Sequence, residues 1–72
     1  MLLSVRLKEV RQDKGLSQKN LAIDLKISER NYQRYEHGER EPTASTLISL
    51  ADYFGVSIDY LTGRTDKPEV NK

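Results

Sequence analysis

Ser17-Gln18-Lys19-Asn20-Leu21-Ala22-Ile23-Asp24-Leu25-Lys26-Ile27-Ser28-Glu29-Arg30-Asn31-Tyr32-Gln33-Arg34-Tyr35-Glu36-His37-Gly38 holds two serines placed to start helices. The hydroxyl of Ser17 can accept from the free amides of a helix beginning at Gln18. Leu21, Ala22 and Leu25 then give that helix a single apolar stripe. Ser28 repeats the device after Lys26-Ile27. The helix it starts carries Tyr32 and Tyr35 as its apolar positions and stops at His37-Gly38. Two short capped helices joined by so tight a turn form a helix-turn-helix.

The second of these helices has two unlike faces. At about 100° per residue, Glu29, Gln33, His37, Arg30 and Arg34 fall on one arc of about 140°, and Tyr32 and Tyr35 fall opposite. One side is aromatic and suited to burial. The other carries only long side chains able to hydrogen-bond. Arginine can pair with guanine through two bonds, glutamine with adenine, and glutamate can accept from the cytosine amino group. A solvated face would look similar, but forked side chains gathered at the start of a helix after a tight turn are what reading a major groove requires.

Outward from this pair the chain continues helical, and no segment alternates as a strand does. Upstream, Leu3, Leu7 and Val10 share a helical face, and Lys14-Gly15 supplies the stop. Downstream, Pro42 marks a loop, and Thr43 or Ser45 can cap a fourth helix with Leu47, Leu50, Ala51 and Phe54 on one side, ended by Gly55. Ser57 caps a short fifth helix through Leu61, closed by Gly63. Residues 1–64 therefore read as one domain. Residues 65–72 are polar, contain Pro68 and read as a flexible tail.

Seventy-two residues make one domain with a modest core. The chain has no cysteine, which removes disulfides, zinc fingers and thiol chemistry together. Its only histidine, His37, sits beside a helix-ending glycine, and no nucleophile–base–acid arrangement or phosphate loop accompanies it. An enzyme is not expected, nor a metal, a cofactor or a small-molecule ligand. The opening run Met1-Leu2-Leu3 is too short for a signal peptide, and no stretch approaches a membrane span. The expected setting is the cytoplasm. Net charge is only +1, but residues 1–40 hold nine Lys/Arg against six Asp/Glu, while residues 41–72 hold three against five. The front half is the better candidate to face a polyanion.

Two charges border the buried side. Arg11 lies about 40° from Leu7, and Glu36 about 40° from Tyr32, on their respective helices. Charges flanking a core need partners, because an unpaired buried ion is costly. The expectation is a salt bridge tying the first helix to the third.

Taken in order, Arg6-Leu7-Lys8-Glu9-Val10-Arg11, Lys14-Gly15-Leu16-Ser17-Gln18, Leu21-Ala22, Ile27-Ser28, Tyr35-Glu36-His37-Gly38-Glu39-Arg40-Glu41-Pro42, Leu47-Ile48-Ser49-Leu50-Ala51-Asp52 and Gly55-Val56-Ser57-Ile58-Asp59-Tyr60-Leu61 resemble the Cro and phage-repressor family of helix-turn-helix regulators, from about Leu3 to Arg64. The resemblance implies an all-α, five-helix lambda-repressor-like domain, with its helix-turn-helix at the second and third helices. It implies binding to double-stranded DNA as a homodimer on a palindromic operator, most often in repression. A protein-interaction module, such as an antitoxin or a bridging factor, is the alternative on the same fold.

The family pattern also distributes roles. Glu29, Arg30 and Arg34 match base-reading positions, and Gln33 shares their face. Gln18 matches the glutamine that braces the DNA backbone. Ser28, Asn31, His37 and Arg40 match positions near phosphates, and Ser17 and Lys19 join this backbone-contacting set. Arg11 and Glu36 match the family's internal ion pair. Val56, Ile58 and Leu61 are expected to offer an apolar patch to a second copy, unless they only complete the core of the monomer. Two residues depart from the pattern: Lys26 stands where glycine is usual in the turn, and Tyr32 stands where a smaller aliphatic is usual.

Overall fold

The computed structural model describes residues 2–69, with the side chain of Leu2 left aside. Five helices follow one another: α1 Leu2–Asp13, α2 Gln18–Leu25, α3 Glu29–Glu36, α4 Ala44–Phe54 and α5 Ile58–Leu61. The caps fall where the sequence places them. Ser17, Ser28 and Ser57 accept from the backbone amides of Asn20, Asn31 and Tyr60, each at 3.0 Å. Of the two candidates before α4, Thr43 is the cap, accepting from Thr46 N at 3.3 Å. Each bond satisfies an amide that the first turn would otherwise leave without a partner.

The helix ends share one device. In every helix the residue after the last turn bonds back to close two nested rings, as Gly55 N to Asp52 O and Val56 N to Ala51 O do after α4. This closure needs a left-handed residue. Glycine provides it after α1, α3, α4 and α5, but after α2 the residue is Lys26, at φ 58° and ψ 38°. Lys26 N still reaches Ile23 O at 3.1 Å, and Ile27 N reaches Ala22 O at 3.0 Å. The turn therefore closes with the same bonds as the other four helix ends, with the left-handed strain confined to one residue.

Short helices cannot bury an apolar face alone, so each packs on its neighbours. α3 lies against α1 and α2, α5 against α1 and α4, and α2 against α4. The centre holds Leu7, Leu21, Tyr32, Leu50, Phe54 and Leu61, all fully buried. Tyr32 and Tyr35 meet edge to face with ring centroids 6.4 Å apart, a favoured aromatic geometry. Tyr32 thus fills the larger space its size demands, and its hydroxyl stays inside with it.

Val56 and Leu61 correct the expected docking patch. Both lie in the core, Val56 in the turn between α4 and α5 and Leu61 on the side of α5 that faces α1 and α4, and of the three only Ile58 remains exposed, at 38%. The segment after α5, read from its polarity as a flexible tail, bonds back to the helices in its first residues. Arg6 Nη1 donates to Tyr60 O and Thr65 O at 3.0 Å, its Nη2 meets Asp66 Oδ1 at 2.9 Å, and its guanidinium lies 4.2 Å over the Tyr60 ring. Ser57 N donates to Pro68 O at 3.0 Å. Residues 65–68 therefore run back along α1 and α5. The last three residues of the expected tail lie outside the described residues.

Candidate nucleic-acid interface

Burial of Tyr32 and Tyr35 fixes the rotation of α3 about its axis, and that rotation presents the opposite arc outward. Glu29, Arg30 and His37 are exposed, and Gln33 and Arg34 are half-buried. The face is partly pre-arranged. Gln33 Nε2 donates to Glu29 Oε2 at 3.4 Å, one helical turn apart. Arg34 sits in the last turn of α3, where a cation complements the helix dipole.

Around this helix stand the residues expected to meet a phosphate backbone. Ser17, Lys19, Ser28 and Arg40 are exposed, and Gln18 and Asn31 are half-buried. Ser17 and Ser28 use their hydroxyl oxygens as caps, which leaves each hydroxyl proton free to donate elsewhere. His37 caps the end of α3, with Nδ1 3.9 Å from Glu39 Oε1.

Beneath the face lies the ion pair. Arg11 Nε donates to Glu36 Oε2 at 2.6 Å and Arg11 Nη2 to Oε1 at 3.1 Å, while Nη1 holds Leu16 O at 2.9 Å. Only 2% of the Glu36 side chain is exposed. Burial by itself would raise the Glu36 carboxyl, but the hydrogen bonds from Arg11, the dipole of the nearby Tyr32 hydroxyl and the hydrogen bond from the Gln18 amide outweigh burial and hold it below the ordinary carboxylate range. The same contact with Glu36 raises Arg11 against the pull of burial. The expected bridge between the first and third helices is present, and it is bidentate.

Three contacts here carry no periodic signal. Gln18 Nε2 donates to Glu36 Oε1 at 3.1 Å, so the first residue of α2 joins the buried pair. Tyr53 Oη donates to Asp24 Oδ2 at 2.6 Å, clipping α4 to α2. The third is the Arg6 clasp on Tyr60. All three reach across long sequence separations, which a helical wheel does not register. Among the described residues no group of His, Asp and Glu could hold a metal ion, and no helix is long and apolar enough to cross a membrane.

With this geometry in place, residues 7–61 of the chain match one family model, described as helix-turn-helix. The chain belongs to the Cro and phage-repressor family of helix-turn-helix proteins.

Similar proteins share its length unevenly. The HTH-type transcriptional regulator ImmR of Bacillus subtilis is 40% identical over all of this chain and 57% of its own length. The SPbeta prophage-derived regulator YonR of the same organism is 45% identical over 78% of this chain and 52% of its own. The cryptic phage CTXphi transcriptional repressor RstR of Vibrio cholerae is 38% identical over 89% of this chain and 57% of its own. The chain thus spans about half the length of the curated relatives it matches.

Proposed function

We propose that the chain is a sequence-specific DNA-binding domain of a transcriptional regulator, acting in the cytoplasm as a repressor on a palindromic operator. The outward arc of α3 carries this reading, because it offers bidentate donors and acceptors on a helix held rigid from behind. α3 enters the major groove. Arg30 and Arg34 read guanine, Gln33 reads adenine, and Glu29 accepts from a cytosine amino group. Ser17, Gln18, Lys19, Ser28, Asn31, His37 and Arg40 fix the register on the phosphates.

Two copies of α3 on a homodimer fall about 34 Å apart, one turn of the duplex. Ile58 is the exposed apolar side chain of α5 available to that contact. Glu29, Glu39 and Glu41 stand near the same surface, so affinity for random DNA is low, and binding falls steeply with salt.

The test is selection of bound sequences from a random duplex pool at about 150 mM salt, where non-specific retention is weak. An enriched near-palindrome with half-sites one turn apart supports the reading. Retention without enrichment sinks it.

A further inference from the structure

An ionised carboxylate can accept about four hydrogen bonds, and Glu36 receives three, two from Arg11 and one from Gln18. One turn earlier on α3, Tyr32 is wholly buried, and its hydroxyl has no hydrogen-bond partner although it lies beside the same carboxylate. A buried hydroxyl without a partner costs stability, and phenylalanine would fill the same space without that cost. In the free fold only its dipole beside the carboxylate offsets that cost.

Of the three donors on Glu36, the two from Arg11 are fixed, because its Nη1 is also tied to Leu16 O. The third is movable: Gln18 opens α2, is half-buried, and reaches inward from the edge. Resting on the functional reading above, Gln18 is also a contact to the DNA backbone. Its amide could stay on Glu36 and touch a phosphate at once only by holding two anions close together, which repel. Releasing Glu36 without replacement would leave a buried charge short of a donor.

We infer that Tyr32 is a positioning residue whose hydroxyl takes the place of Gln18 on Glu36 when Gln18 turns to a phosphate. The orphan oxygen is the reserve that lets the backbone contact form while the ion pair stays fully bonded. α3 then keeps its seat as the DNA binds.

The test compares wild type, Tyr32→Phe, Gln18→Ala and the double variant on the selected operator, with thermal melts of each free protein. Tyr32→Phe is expected to melt at or above the wild-type temperature, yet bind the operator more weakly by about tenfold or more, the effect of one hydrogen bond to a charged group. In the Gln18→Ala background the same substitution is expected to change affinity by about twofold or less, since no donor leaves on binding. Unchanged affinity for Tyr32→Phe overturns the inference, as does an equal loss in both backgrounds. On the unsubstituted chain, the Tyr32 hydroxyl proton resonance is expected to move downfield when operator is added, and an unmoved resonance also overturns it. A wild type that selects no DNA sequence overturns the functional reading and this inference together, whereas selection by a wild type with an indifferent Tyr32→Phe overturns this inference alone.

Discussion

Arg11 and Glu36 meet across twenty-five positions of sequence, with the guanidinium edge on both carboxylate oxygens at 2.6 and 3.1 Å. One end of the pair stands on α1 and the other in the last turn of α3, so the outward helix is pinned to the body through its buried side. Removing one partner leaves a charge buried and alone, which is more damaging than removing both. Arg11→Met is therefore expected to destabilise the domain by about 3 kcal/mol in urea melts, and Arg11→Met with Glu36→Leu to recover much of that. A single variant that melts like the wild type would show the pair to be idle.

The same pair sets an acid limit. Glu36 is held below the ordinary carboxyl value of 4.5, so the unfolded chain takes up its proton more readily than the folded one. Its contribution is complete above that unfolded value and fades as pH falls through the lower, folded value. Melting temperature measured from about pH 6 down to pH 3 should fall for the wild type and fall less for Glu36→Gln, whose amide has no proton to gain in that range. Parallel curves would place the acid sensitivity elsewhere.

Lys26 is a local fault in an otherwise uniform set of helix ends. It holds a left-handed backbone that glycine holds after the other four helices. A side chain in that region costs roughly 1 kcal/mol, and the Lys26 side chain is exposed, with little packing to lose. Lys26→Gly is expected to raise stability by about 0.5–1 kcal/mol, less whatever the freer unfolded chain takes back. Denaturant midpoints measure it. A lower midpoint would mean that unfolded-state entropy outweighs the relieved strain.

The elements of this fold were legible because their signals are local. A serine hydroxyl and a glycine act within one helical turn, and apolar spacing fixes which face of each helix turns inward. Arg11 and Glu36 were legible for the same reason, since each borders an apolar stripe on its own helix. Val56 and Leu61 were left open between core and docking patch, because a four-residue helix and the turn before it show too little pattern to separate the two. The Arg6 clasp on residues 60–66 was invisible, as two of its bonds go to backbone oxygens, which every sequence possesses, and its Asp66 and Tyr60 partners lie more than fifty positions away. The outward arc of α3 was readable as a face. The bond between Gln33 and Glu29 within it depends on rotamers that spacing does not set.

Arg34 and Arg40 separate reading a base from gripping a phosphate. Arg34 is half-buried on the face of α3, whereas Arg40 is exposed in the loop before α4. A base contact carries sequence information, so Arg34→Ala should cost about 1–3 kcal/mol on the selected operator and little on random duplex, and should relax the preference at one position. A phosphate contact is indifferent to sequence. Arg40→Ala should weaken both duplexes alike and reduce the slope of log affinity against log salt by about one. Loss of Arg34 also removes a cation from the end of α3, worth roughly 0.3–1 kcal/mol of helix stability, so circular dichroism must first show the helix intact. Equal losses on both duplexes for Arg34→Ala, with a lowered salt slope, would move Arg34 to the backbone and leave Arg30, Gln33 and Glu29 to carry recognition.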